Sequence, residues 1–259
     1  MKRAIFIFAL WAGNADAACR QALVLGLDVS GSVDATEYQL QRNGLATALL
    51  SPAVTEVLIR QYTAPIDIVV FEWSGPSHQF VILPWITIAD YPTLVAAANK
   101  LRTTPRIAAD PTTAIGSAMI FAGNLLTSRN HCWKQTVDLS GDGQANTGPR
   151  PQDITPPDIP DTVTVNALAI GSTDQFNRDE RSANIKELSS YFREYVVRGP
   201  DAFVEVALGF EDYANAMERK LLRELQSIAI GAAQDNQTIT PHLPISNMPR
   251  QRPLWINPR

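Results

Sequence analysis

Histidine and cysteine are scarce in this chain, with three and two respectively among 259 residues. Two thiols with no adjacent histidine cluster argue against a cysteine-based metal site. The histidines are scattered: His78 falls near a turn, His131 adjoins Cys132 and His242 lies near the end. None stands where a general base would be needed beside the acidic motifs described below. Basic excess is also missing. The formal net charge is −4, and no run of Lys or Arg occurs, which argues against nucleic acid or an anionic membrane as partner. There is no Walker-A sequence, no internal repeat and no break in composition that marks a second large domain.

Long apolar runs are missing too. The one near the start, Ala4 to Ala12, is too short to span a bilayer. Lys2 and Arg3 precede it and Ala15-Asp16-Ala17 follows, the three-part pattern of a secretory leader. Cleavage is expected after Ala17, giving an exported protein, periplasmic or secreted. Cys19 follows closely, but Asp16 sits where a lipobox requires a branched apolar residue, which argues against lipidation. Residues 18–230 are expected to form one domain. Residues 231–259 are polar and Pro-rich and read as a tail.

What is present is a globular balance, 45% hydrophobic and 19% charged, with strands and helices in alternation. Leu23 to Leu27 reads as a buried strand. Asp34 followed by Glu37 opens a helix with a capping-box pattern, and Ser51-Pro52 ends it. Ile66–Trp73 is a second strand, and His78–Ile82 a third, antiparallel to it across a short turn. Tyr91–Leu101 and Ala114–Leu126 read as helices, Lys134–Leu139 and Val163–Gly171 as strands, and Asp179–Tyr191 as a polar helix. Glu194–Val197 and Phe203–Ala207 are extended candidates. Phe210–Ile228 is amphipathic, with Phe210, Tyr213, Met217, Leu221, Leu225 and Ile228 on one face. This order predicts an α/β fold: a doubly wound, mainly parallel sheet with one antiparallel edge strand and helices on both faces.

Two strands end in acids. Asp28-Val29-Ser30-Gly31-Ser32 follows the first, and Ser140-Gly141-Asp142-Gly143 follows the fourth. Alternating carboxylate and hydroxyl oxygens in a short loop suit a hard cation such as Mg²⁺. In an open α/β sheet such loops meet beyond the carboxyl ends of neighbouring strands. If those two strands are parallel neighbours, Cys19 and Cys132 lie together at the opposite end, about 30 Å away, and a disulfide between them suits an oxidising compartment. A third loop, Asp110-Pro111-Thr112-Thr113, leads into a helix with paired hydroxyls.

These three segments, in this order, resemble the von Willebrand factor type A (VWA) domain, over roughly residues 20 to 230. The likeness is to exported bacterial members. The resemblance implies a metal-ion-dependent adhesion site (MIDAS) of Asp28, Ser30, Ser32, a threonine best placed at Thr113, and Asp142. It implies Mg²⁺, with Mn²⁺ or Ca²⁺ as substitutes, and a protein partner that presents an Asp or Glu. It implies a binding module, not an enzyme. Gly141 departs from the family's usual Ser-Asp-Gly or Thr-Asp-Gly and could displace Asp142. Two alternatives remain open at this stage. One is a metal-dependent hydrolase or phosphotransferase, with Glu72 as the best spare acid. The other is a structural assembly domain with a vestigial site. Asp138, in mid-strand, reads as structural, as do Trp73, Trp85 and Trp133.

Overall fold

The computed structural model describes residues 19–60, 64–171 and 178–235. The expected leader, His242 and the tail beyond residue 235 lie outside the described residues. In chain order the elements are β1 (Gln21–Asp28), α1 (Ala35–Leu49), α2 (Pro52–Thr55), β2 (Ile66–Trp73), β3 (Gln79–Ile88), α3 (Tyr91–Thr103), α4 (Ile115–Leu126), β4 (Lys134–Gly141), β5 (Thr164–Ile170), α5 (Arg178–Tyr191), β6 (Val204–Ala207) and α6 (Tyr213–Asp235).

The six strands form one sheet in the order β3-β2-β1-β4-β5-β6. All neighbours are parallel except β2 and β3. The expected fold class is therefore present, and β1 and β4 are the central neighbours, with Gln21 opposite Lys134. Side chains alternate across the pleat. Leu23, Leu25 and Leu27 point into a core shared with α1, α3 and α6, whereas Val24, Val69, Val137 and Val165 point into a second core under α4 and α5. Both faces are covered, so the central strands are apolar almost throughout.

Local signals explain the boundaries. Asp34 caps α1, its Oδ1 accepting from the backbone N–H of Thr36 and Glu37, while Glu37 Oε2 accepts from the Asp34 N–H. That reciprocal cap accounts for Asp34 as the start of α1. Gly116 and Gly123 let α4 press against the connector that follows β4. A Cβ on them would lie 2.1 Å from Pro149 O and 2.0 Å from Asp158 O. The edge strand β3 runs further than expected, to Ile88, and carries Pro84. A proline lacks the N–H that would recruit another strand to that edge.

Three expectations need correction. Residues 192–196 form a π-helical turn that continues α5, so the stretch expected to be extended over Glu194–Val197 is helical up to Val196. Arg198 just beyond it makes a single antiparallel bridge with Val165. Trp133, read as a packing residue, is 65% exposed. The last helix runs on to Asp235, so residues 231–235 belong to it.

Cys19 and Cys132 are disulfide-bonded, Cα to Cα 4.4 Å, and close a loop of 113 positions between the starts of β1 and β4. In the chain-entropy account, tethering so long a loop removes about 4–5 kcal/mol of freedom from the unfolded chain.

Candidate metal-ion site

Four of the five expected ligand residues meet at the carboxyl ends of β1 and β4. Asp28 is the last residue of β1 and fully buried. Its Oδ1 accepts from the Ser30 N–H at 2.8 Å, which folds the loop back over the strand end. Its backbone carbonyl accepts from Gln41 Nε2 of α1 at 2.8 Å, which anchors the strand end to that helix. Ser30 Oγ and Ser32 Oγ lie 3.3 Å apart, and Ser32 Oγ donates to Asp142 Oδ1 at 2.8 Å. The loops after β1 and β4, 110 residues apart in sequence, are thereby joined through side-chain oxygens.

Gly141 does not push Asp142 out of reach. As the last residue of β4 it faces Asp28, and a Cβ there would sit 3.2 Å from Asp28 Oδ2 and 3.3 Å from the Phe192 ring. Its missing side chain makes room for the Asp28 carboxylate.

The third loop is tied to the other two through its backbone. Gly31 N–H donates to Pro111 O at 3.0 Å, and a Cβ on Gly31 would also lie 3.0 Å from Pro111 Cβ. Thr113 is buried, and its N–H donates to Asn146 Oδ1 at 2.9 Å while the Asn146 N–H donates back to Thr113 O at 2.9 Å. The Ala114 N–H donates to Ser74 O. No hydrogen bond of Thr113's hydroxyl brings it to the other four. Asn146 and Gln41 were not foreseen. Gln41 acts through one hydrogen bond and Asn146 through two, each to a single residue distant in sequence, and no local pattern marks either. Asp110 and Thr112 form their own turn, the Thr112 N–H and Oγ1 both donating to Asp110 Oδ1.

The electrostatics are unfavourable as they stand. Asp28 Oδ2 is buried with no hydrogen-bond partner. Burial, and then the Asp142 carboxylate, push the Asp28 carboxyl up to about 7, against the pull of the Ser30 hydrogen bonds. Burial also raises Asp142, opposed by the Ser32 hydroxyl. Two desolvated carboxylates beside two hydroxyls, with an oxygen left unpaired, call for a cation in chemical terms.

Glu72 is not part of this site. It faces the opposite side of the sheet, buried, and accepts from the Tyr38 hydroxyl of α1. Asp138 is on that side as well, 2.8 Å from Lys220 Nζ of α6, and so is structural as expected. The site lies between two hollows. One, of about 390 Å³, is lined by Ser30, Gly31, Arg106, Ile107 and Pro111. The other, of about 240 Å³, is lined by Asp142, Gln144, Gly171, Asn184 and Leu188.

The chain is similar in structure to the PilB minor pilin from Streptococcus sanguinis, at 12% identity and a TM-score of 0.53, over 83% of this chain and 64% of that one. It is similar to proximal thread matrix protein 1 from the mussel byssus, at 16% identity and 0.50, over 82% and 49%. A third likeness is to a von Willebrand factor type A protein from Catenulispora acidiphila, at 16% and 0.49, over 80% and 43%. The chain thus spans about half the length of the last two. At such identities the likeness is one of fold alone, a mostly parallel six-stranded sheet with one antiparallel edge strand, as the order of elements in the sequence predicted. Comparison with curated proteins gave no match. The family model described as "Protein of unknown function (DUF1194)" matches residues 18–229, and the chain belongs to that family.

Proposed function

We propose that this protein is an exported, divalent-metal-dependent protein-binding module whose MIDAS-like site accepts a carboxylate from its partner. The observation that carries the reading is the buried, unpartnered Oδ2 of Asp28 beside the Ser30–Ser32–Asp142 chain of oxygens. The donor set fits a small hard cation: two carboxylates and two hydroxyls, all oxygen. Asp28, Ser30, Ser32 and Asp142 would hold Mg²⁺, or Mn²⁺ or Ca²⁺ in its place. Thr113 joins them by analogy with the family pattern, on a loop already tied to Gly31. The bound cation would supply an electrophilic coordination position: two carboxylates and two neutral hydroxyls leave places for water that a partner carboxylate could take.

The chain's own residues do the rest. Gln41 and the Ser30 N–H hold Asp28 in place. Gly141 keeps the space beside it clear. The hollows on either side leave room for a partner segment to cross the strand ends. Glu72, the spare acid of the hydrolase or phosphotransferase alternative, lies on the far face bound to Tyr38, which favours the binding reading.

The test is capture from the exported protein fraction on immobilised full-length chain, in Mg²⁺, in chelator, and with Asp142→Ala. We expect partners that are retained in Mg²⁺, released by chelator and not retained by the variant. The same proteins held equally in chelator and by Asp142→Ala would instead support a structural domain with a vestigial site.

A further inference from the structure

We propose that the dithiol form of this protein binds a zinc ion at the base of the sheet, through Cys19, Cys132, His131 and Asp67. This second site is separate from the carboxyl-end site and does not depend on the function proposed above.

The topology assembles it. β1 lies between β2 and β4. Cys19 precedes β1, Asp67 is the second residue of β2, and His131 and Cys132 precede β4. All three strands are parallel, so these residues share the amino ends of the strands. One ligand atom from each of the four lies within 4.8 Å of the others. In a tetrahedral zinc site, bonds of about 2.0–2.3 Å place ligand atoms roughly 3.3–3.8 Å apart. Side-chain rotation of an exposed histidine and two unlinked thiols can close that difference.

The surroundings suit a metal. The Thr87 hydroxyl donates to Asp67 Oδ1 at 2.6 Å, which fixes the carboxylate as an outer-shell partner does in zinc sites. Asp67 Oδ2 is then turned toward the cluster, 3.9 Å from His131 Nε2 and 2.9 Å from Arg129 Nε. Two thiolates and a carboxylate exceed the charge of Zn²⁺ by one. The Arg129 guanidinium, held over the Trp85 ring at 4.7 Å, supplies the compensating positive charge.

Redox state decides occupancy. Disulfide sulfurs are poor ligands, whereas thiolates are among the best for zinc. A phosphine reductant converts the disulfide and one water to two thiols and its own oxide. Zinc then displaces the two thiol protons. The covalent staple between β1 and β4 is exchanged for a coordinate one at the same place.

Cobalt(II) reports the site, because only sulfur ligands give a thiolate-to-cobalt charge-transfer band and an all-oxygen site gives none. The full chain would be reduced with phosphine under anaerobic conditions and titrated with Co²⁺. We expect that band, together with the intense visible bands of tetrahedral cobalt, saturating at one equivalent and bleached by Zn²⁺. The oxidised protein and Cys19→Ser/Cys132→Ser should lack it. His131→Ala and Asp67→Asn should each weaken cobalt binding about tenfold or more. A reduced, folded chain with no thiolate band overturns the proposal. So does wild-type affinity in both single variants, or a reduced chain that stays unfolded with zinc present.

Discussion

Asp28→Asn will abolish binding of Mg²⁺ and Mn²⁺ and, in metal-free protein, will raise the melting temperature. The two effects have one cause. Asp28 is fully buried, with Oδ1 held by the Ser30 N–H and Oδ2 without a partner. Without a cation its charge is opposed by desolvation and by Asp142, which push its carboxyl from 3.8 up to about 7. A carboxyl whose folded value is raised destabilises the fold above its unfolded value. The penalty grows between about pH 4 and 7 and is complete above that, at about 1.4 kcal/mol per unit. Asparagine keeps the shape and the acceptor for Ser30 but not the charge. We therefore expect the metal-free variant to gain about 2–3 kcal/mol at pH 8, or roughly 5–10 °C in a domain of this size. Less of the gain should remain at pH 5, where the wild-type carboxyl is mostly protonated. Calorimetric titration and thermal melts with and without Mg²⁺ would check both halves. Wild-type metal affinity in the variant would remove Asp28 from the ligand set. A lower metal-free melting temperature would mean that its charge is already satisfied within the protein.

Lys220→Met should destabilise the domain by about 3–5 kcal/mol. Lys220 lies on α6 with no exposure, 2.8 Å from Asp138 Oδ2 and 2.7 Å from Glu224 Oε1. Asn166 Nδ2 donates to the same Glu224 oxygen at 2.7 Å. Burial pushes Asp138 up to about 7, and Glu224 adds to that while Lys220 opposes it. One ammonium therefore offsets two carboxylates between α6 and the middle of the sheet. Removing it leaves buried negative charge with no cation beside it, which costs more than the pair contributes when whole. Adding Asp138→Asn and Glu224→Gln to Lys220→Met should restore at least half of the loss, because the uncompensated charges go with it. Urea unfolding of the three proteins measures this. A loss below about 1 kcal/mol for Lys220→Met alone would show that the cluster is hydrated and contributes little.

The sheet was legible because its strands are apolar runs bounded by strong punctuation. Asp28, Ser51-Pro52 and Ser74-Gly75-Pro76 each stop an element by a local rule. The central pairing followed from two acidic turns that had to meet at strand carboxyl ends, and it carried the disulfide with it. Features that depend on distant neighbours were not legible. The π-helical turn at residues 192–196 has the β-rich composition Phe-Arg-Glu-Tyr-Val, and its backbone is set by packing of Phe192 and Val196 into the core under α5. Trp133 looks like a core residue by type. It follows the buried Cys132 at the mouth of β4, on the solvent side of the chain. Asn146 reaches Thr113 across 33 positions, and Asp67 comes to Cys132 from another strand. Residue type predicted chemistry well where the partners sat in one loop, and poorly where the fold had to supply them.

The most direct measurement is anomalous scattering from crystals of the full chain grown or soaked in Mn²⁺. We expect a manganese peak bounded by the carboxylates of Asp28 and Asp142 and the hydroxyls of Ser30 and Ser32. A well-occupied peak elsewhere, with those four side chains still joined only to one another, would contradict it.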